Sequence, residues 1–136
     1  MVDFERGQTF LDSQAIDHTG ISKPKYFIGL SNAYDFDDEI VCFVMNTERR
    51  FERYKYNCNR KAHRFIIPPN TFSFIKENTS IMLVHEVFYK LKEMYENRIK
   101  LLDLANDTLA RQVKNCIDWD YMLPKSKKLV LRSFKK

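Results

Sequence analysis

The sequence predicts one mainly β domain with helices at its C-terminal end, α+β or a β-barrel with C-terminal helices packed on it. Three observations carry this. Short apolar runs, bounded by polar residues or proline, recur through the first hundred residues. The apolar spacing then changes to three and four, the helical period. The length of 136 residues suits a single core rather than two. The domain is expected over 1–136, with the barrel at about 7–101 and the helical part at about 102–136.

Gln8-Thr9-Phe10-Leu11 predicts a short first strand, and the polar stretch from Asp12 to Pro24 reads as a long loop. Tyr26-Phe27-Ile28-Gly29-Leu30-Ser31 is a compact apolar run, hence a buried strand. Asp35 to Glu39 make an acidic turn. Ile40-Val41-Cys42-Phe43-Val44-Met45 is the strongest strand, by its β-branched and aromatic content. Phe51 to Tyr56 alternates weakly, as a strand or extended loop. Phe65-Ile66-Ile67 must stop at Pro68-Pro69, which cannot donate to a ladder.

Ser80 to Glu86 is another strand. Phe27, Val41, Phe43, Met82 and Val84, or their alternate neighbours, should point inward. Val87, Leu91, Met94 and Tyr95 fall on one helical face, with strand structure around Arg98 to Leu101 as an alternative ending. Leu102, Ala105, Leu109, Val113 and Cys116/Ile117 define a helix over about 106–117, which Asn106 or Asp107 can cap. Pro124 opens a last short helix carrying Leu129, Val130 and Phe134.

The net charge of +5 is unevenly spread. Residues 1–47 carry 3 basic and 8 acidic groups, whereas residues 48–64 carry 7 basic and 2 acidic. Residues 121–136 add 6 basic groups and no acidic one. Clustered cations of this kind bind phosphate backbones. The middle segment also interleaves rings with its cations: Arg49, Arg50, Phe51, Arg53, Tyr54, Lys55, Tyr56, Arg60, Lys61, His63 and Arg64. Cations neutralise phosphates while rings stack unpaired bases, which is how single strands are held. The alternative is an exposed segment whose charges keep a sheet edge soluble.

Most familiar catalytic spacings are missing. No glycine-rich phosphate loop precedes a helix, and no Gly-x-Ser-x-Gly elbow occurs. His85-Glu86 lacks the second histidine of a zinc-binding helix, and Asp35, Asp37 and Asp38 lack the glycine and glutamate of a calcium loop. Cys42, Cys58 and Cys116 are odd in number and widely spaced. They predict neither a disulfide framework nor a zinc site, and a reducing cytoplasm is the natural setting. The opening Met1-Val2-Asp3-Phe4-Glu5-Arg6 has no signal-peptide character, and no run is long enough to span a membrane.

The order of elements resembles the MazF/PemK-like toxin family, which has an SH3-like barrel. Gly7-Gln8-Thr9 stands where that family opens with glycine and an acidic residue. Lys25-Tyr26-Phe27-Ile28-Gly29-Leu30-Ser31-Asn32, after Lys23-Pro24, matches its second strand. Ile40 to Met45 followed by Asn46-Thr47 matches the third, and Thr79-Ser80-Ile81-Met82-Leu83-Val84-His85-Glu86 a later one. The match spans most of residues 7–117 in short pieces.

The resemblance implies a metal-independent, cofactor-free toxin-antitoxin endoribonuclease, a homodimer that cuts single-stranded RNA and is neutralised by an antitoxin protein. In that chemistry the 2′-OH attacks its own phosphate, and the enzyme moves protons and stabilises the phosphorane. The family's strand-two cation and strand-three hydroxyl map to Lys25 (or Lys23) and Thr47, although the simplest alignment puts Asn46 or Met45 at the hydroxyl's place; Lys23 and Asn46 would also contact the RNA. His18, in the expected long loop, would add a proton-transfer group. Arg49, Arg50, Arg53 and Tyr54 would hold the flanking strand. Lys stands where the family usually has Arg. A second reading is a non-catalytic barrel that binds nucleic acid or a protein partner in a mobile-element or phage-related system. A third is a structural interaction domain.

Overall fold

The structure is a computed structural model that describes residues 2–16 and 19–135. Eight antiparallel strands form one unclosed sheet: β1 (Gln8–Ile16), β2 (Ser22–Gly29), β3 (Glu39–Thr47), β4 (Asn57–Asn59), β5 (Arg64–Ile67), β6 (Thr79–Met82), β7 (Val87–Lys90) and β8 (Ile99–Leu104). Helices α1 (Asp107–Cys116) and α2 (Pro124–Ser133) follow. The strand order is β4-β5-β6-β3-β2-β1-β8, and β7 also pairs with β3. The expected mainly β, α+β architecture is therefore present as an open sheet with two C-terminal helices.

The long strand β3 organises the molecule. One edge pairs with β2, and the other is shared, Met45 to Thr47 meeting β6 and Glu39 to Cys42 meeting β7. Its side chains alternate between two cores. Val41, Phe43 and Met45 pack with Ile28, Leu30, Phe65 and Ile81 beneath Ala110 and Val113 of α1, Val130 of α2 and Phe134 just after it. Ile40 and Cys42 pack on the other face with Phe10, Phe27, Tyr89, Leu91 and Met94. Each such large side chain, fully buried, contributes about 1.5–3 kcal/mol by leaving water. Gly29 is needed where it stands: a Cβ there would lie 2.5 Å from Phe4 Cε1.

The helix signals act as read. Asn106 Oδ1 accepts from Leu109 N at 2.8 Å, which caps α1, and Pro124 occupies the first turn of α2. Elsewhere the structure differs. The polar stretch after Asp12 is mostly strand, because β1 runs to Ile16 with a bulge between Asp12 and Ala15 and pairs with β2 from Ser22. In the 80–86 segment it is the alternate neighbours, Ile81 and Leu83, that are buried, and the strand ends at Met82. Val87–Tyr95 is strand β7 followed by a 3₁₀ turn at Leu91–Tyr95, because pairing with β3 overrides the helical spacing. Phe51–Arg53 is likewise a 3₁₀ turn.

Cys58 and Cys116 form a disulfide, against expectation. The wide spacing concealed it: β4 and α1 become neighbours only in the folded sheet. Cysteine usage therefore no longer argues for a reducing compartment. Cys42 is free and buried, and burial pushes its thiol well up. Among the described residues, no helix is long and apolar enough to cross a membrane.

Candidate functional site

Register decides which sequence candidates meet. Tyr26 pairs with Met45, so Lys25 lies across from Asn46 on the same face of the sheet. Side chains alternate along a strand, and Thr47 therefore projects to the opposite face. The clefts agree with this parity. Lys25 and Asn46 line a cleft of about 440 Å³ with Ile16, Phe27, Val44, His85 and Val87. Thr47 lines a separate cleft of about 160 Å³ with Tyr26, Met45, Phe74 and Lys76. Lys25 and Thr47 thus cannot grip the same phosphate from one side.

His85 enters this cleft from the short link between β6 and β7. There the chain must leave β3 and return to it, and His85 adopts a left-handed backbone with φ 57°. Histidine is among the residues that accept this region more readily than bulky ones. The spacing that dismissed His85 as a zinc ligand gave no hint of this neighbourhood, which depends on a contact between distant strands. The side chains of Lys25, Asn46 and His85 have no polar partner among the described residues. Lys25 is half-buried and Asn46 exposed. Together they offer a cation, an amide and an imidazole at one opening, a set able to grip an anionic oxygen and to move a proton.

A shallower cleft of about 230 Å³ continues from this one through the shared Ile16, Phe27 and Val87. It holds a buried ionic network that sequence reading missed, centred on Asp12, which is the cross-strand partner of Lys25 in the β1–β2 pair. Asp12, fully buried, accepts from Tyr89 Oη at 2.7 Å, Arg98 Nη1 at 2.6 Å and the Gln14 amide at 3.0 Å. Arg98 also donates to Glu93 at 2.7 Å and Glu96 at 2.8 Å. Burial, the hydrogen bond to Asp12 and its charge all push the Tyr89 hydroxyl far up.

The other candidates divide. Lys23, two residues before Lys25 on the same strand, is exposed, whereas His18 lies outside the described residues. Arg49, Arg50 and Arg53 are exposed, and their side chains have no partner among the described residues. The rest of the basic segment is largely committed to the fold. Arg64 lies 4.9 Å above the Tyr54 ring and donates to Glu48 at 2.6 Å. Arg60 donates to the carbonyl oxygens of Asn115 and Ile117 at the end of α1. Tyr54 thus has one face occupied, and Phe51 packs on Tyr56 at 4.6 Å between centroids. In the C-terminal basic stretch, Lys125 pairs with Glu39 at 3.2 Å. No group of three or more potential metal ligands converges among the described residues.

No protein-family model, no curated protein and no solved structure matches this chain.

Proposed function

We propose that the Lys25–Asn46–His85 cleft receives one phosphate of single-stranded RNA and promotes its cleavage without a metal, as a MazF/PemK-like toxin with an SH3-like barrel would. One observation carries this reading. A cation and an amide, each one residue beyond the last β2–β3 pair, line one opening together with a histidine, and none of the three side chains has a polar partner among the described residues. Asp12, the cross-strand partner of Lys25, is already bound by Tyr89, Arg98 and the Gln14 amide, so the Lys25 ammonium makes no ion pair among the described residues and is available to an anionic ligand.

In the proposed reaction His85 takes the proton of the ribose 2′-OH as its oxygen attacks the adjacent phosphorus. The bond from phosphorus to the 5′ oxygen breaks, leaving a 2′,3′-cyclic phosphate and, once that oxygen is protonated, a 5′-OH end. Lys25 compensates the charge that accumulates on the phosphorane, and the Asn46 amide donates to a non-bridging oxygen. Arg49, Arg50 and Arg53 begin three residues beyond Asn46 and hold the flanking strand through its phosphates. Thr47 has no part in this scheme, because it faces the other cleft. The assembly implied is a homodimer neutralised by an antitoxin protein.

A second reading rests on the same parity. With the hydroxyl turned away and lysine in place of the bidentate arginine fork, the cleft can bind RNA without cutting it. Purified protein incubated with total RNA in EDTA separates the two. Cleavage should leave 5′-OH ends, Lys25→Ala should lower the rate by about 10²–10³, and Thr47→Ala should leave it unchanged. RNA retained intact by the wild type would establish the binding module instead. If Lys25→Ala also bound RNA as tightly as the wild type, the cleft itself would be the wrong site.

A further inference from the structure

The Cys58–Cys116 disulfide spans 58 residues of sequence and joins two elements of unequal strength. Cys116 ends α1 and is buried in the larger core. Cys58 sits in β4, a three-residue strand at the sheet edge and within the basic segment. The Arg60 guanidinium reaches the same helix end, so the disulfide and this contact together hold the segment on α1.

The two sulfurs differ in access. Cys116 is 1% exposed, whereas Cys58 is half-buried and lines two clefts. One, of about 320 Å³, includes both cysteines with Asn57, Gln112 and Asn115. The other, of about 360 Å³, is lined by Arg53, Lys55, Arg60 and Lys61 beside Cys58. Arg60 is committed to the helix end, but the side chains of Arg53, Lys55 and Lys61 have no partner among the described residues. Among the described residues, no acidic side chain lines either cleft.

We propose that this disulfide is an exchange site for an anionic small-molecule thiol, which attacks Cys58 from the cation-lined cleft and releases the basic segment from α1. The thiolate attacks Cys58 Sγ, a mixed disulfide forms there, and the bond to Cys116 breaks. Cys116 leaves as a thiolate and takes a proton from solvent. Its sulfur lies 3.8 Å from the carbonyl oxygen of Arg64, which can accept from the new S–H. A second small thiolate then attacks the small molecule's own sulfur, so Cys58 leaves as a thiolate and the two small thiols become a disulfide. The oxidised small thiol closes the bond by the reverse path. Access selects Cys58, and the cations concentrate an anionic attacker at it.

The test uses no RNA, so the ribonuclease reading can fail without touching it. Oxidised protein is treated with glutathione, a neutral thiol or cysteamine at equal thiolate concentration, and adducts are followed by intact mass and peptide mapping. Glutathione should react about tenfold faster than cysteamine, less so at high salt, with the mixed disulfide on Cys58. The R53Q/K61Q double variant should lose that charge preference and keep its rate with the neutral thiol. Trypsin should cut at Arg53, Lys55 and Lys61 about tenfold faster once the pair is reduced, because local opening then no longer has to carry the tether. Equal rates for the three thiols, or an adduct on Cys116, would overturn the exchange site. Equal digestion of oxidised and reduced protein would overturn the release.

Discussion

The groove on the Phe27 face holds two opposite charges side by side, Asp12 on β1 and its cross-strand partner Lys25 on β2, and treats them differently. Asp12 is fully buried and accepts from Tyr89, Arg98 and a backbone amide, while Arg98 is shared with Glu93 and Glu96. Lys25 and the nearby His85 have no polar side-chain partner among the described residues. A buried charge is tolerable only when paired and hydrogen-bonded. The Asp12 charge is therefore committed to holding the bulged half of β1, whose Ile16 walls both clefts. Lys25 keeps its charge half in water and free for a ligand. Local density of charged residues does not tell structural charge from functional charge; partnership does.

The largest effect expected from this contrast is on stability, at Asp12. Asp12→Ala strips Tyr89, Arg98 and the Gln14 amide of a common acceptor, and should cost about 3–5 kcal/mol in denaturant unfolding. A loss below about 0.5 kcal/mol, the level of an ordinary surface change, would show that the network does not hold β1.

A smaller effect concerns a second committed pair. Burial pushes the Glu48 carboxyl up, but hydrogen bonds from Ser80, Arg64 and the Arg50 amide outweigh it and hold it below the usual glutamate range. A carboxylate whose folded pKa is depressed adds stability above its unfolded pKa, near 4.3, and loses it as pH falls through the folded pKa. Glu48→Gln should thus be roughly 1–2 kcal/mol less stable than wild type at pH 7. The gap should narrow as pH falls from about 5 toward 3, in thermal melts across that range. A gap independent of pH would mean that the ionised carboxylate contributes nothing.

The smallest effect is expected at Lys25. Lys25→Ala should shift stability by no more than about 0.5 kcal/mol while RNA cleavage or binding falls. A stability loss as large as that of Asp12→Ala would make Lys25 a structural charge, and the two partners would no longer differ.

Several elements were legible without the fold because their signals are local. The β-branched and aromatic run at Ile40–Met45, the stop at Pro68-Pro69, the Asn106 cap and Pro124 each act within a few residues of themselves, and the structure has strands and helices there. Local spacing misled where pairing overrode it. Val87–Tyr95 keeps a helical apolar period yet forms a strand and a 3₁₀ turn, since β3 offers an edge to complete. The candidate site was legible only in part. Lys25 and Asn46 were named from the order of elements, but whether Asn46 or Thr47 shares the face of Lys25 follows from a one-residue difference in register.

By itself, the sequence determined the α+β class, most strand and helix positions, and the concentration of cations in residues 48–64. Tertiary structure alone decided that His85 joins Lys25, that Cys58 meets Cys116, and that Arg60 and Arg64 are spent on the fold while Arg49, Arg50 and Arg53 stay open. The physical reason is one of range. Propensity, capping and alternation act along a few residues, whereas the partner of a charge or a thiol is set by which distant strands the buried cores bring together.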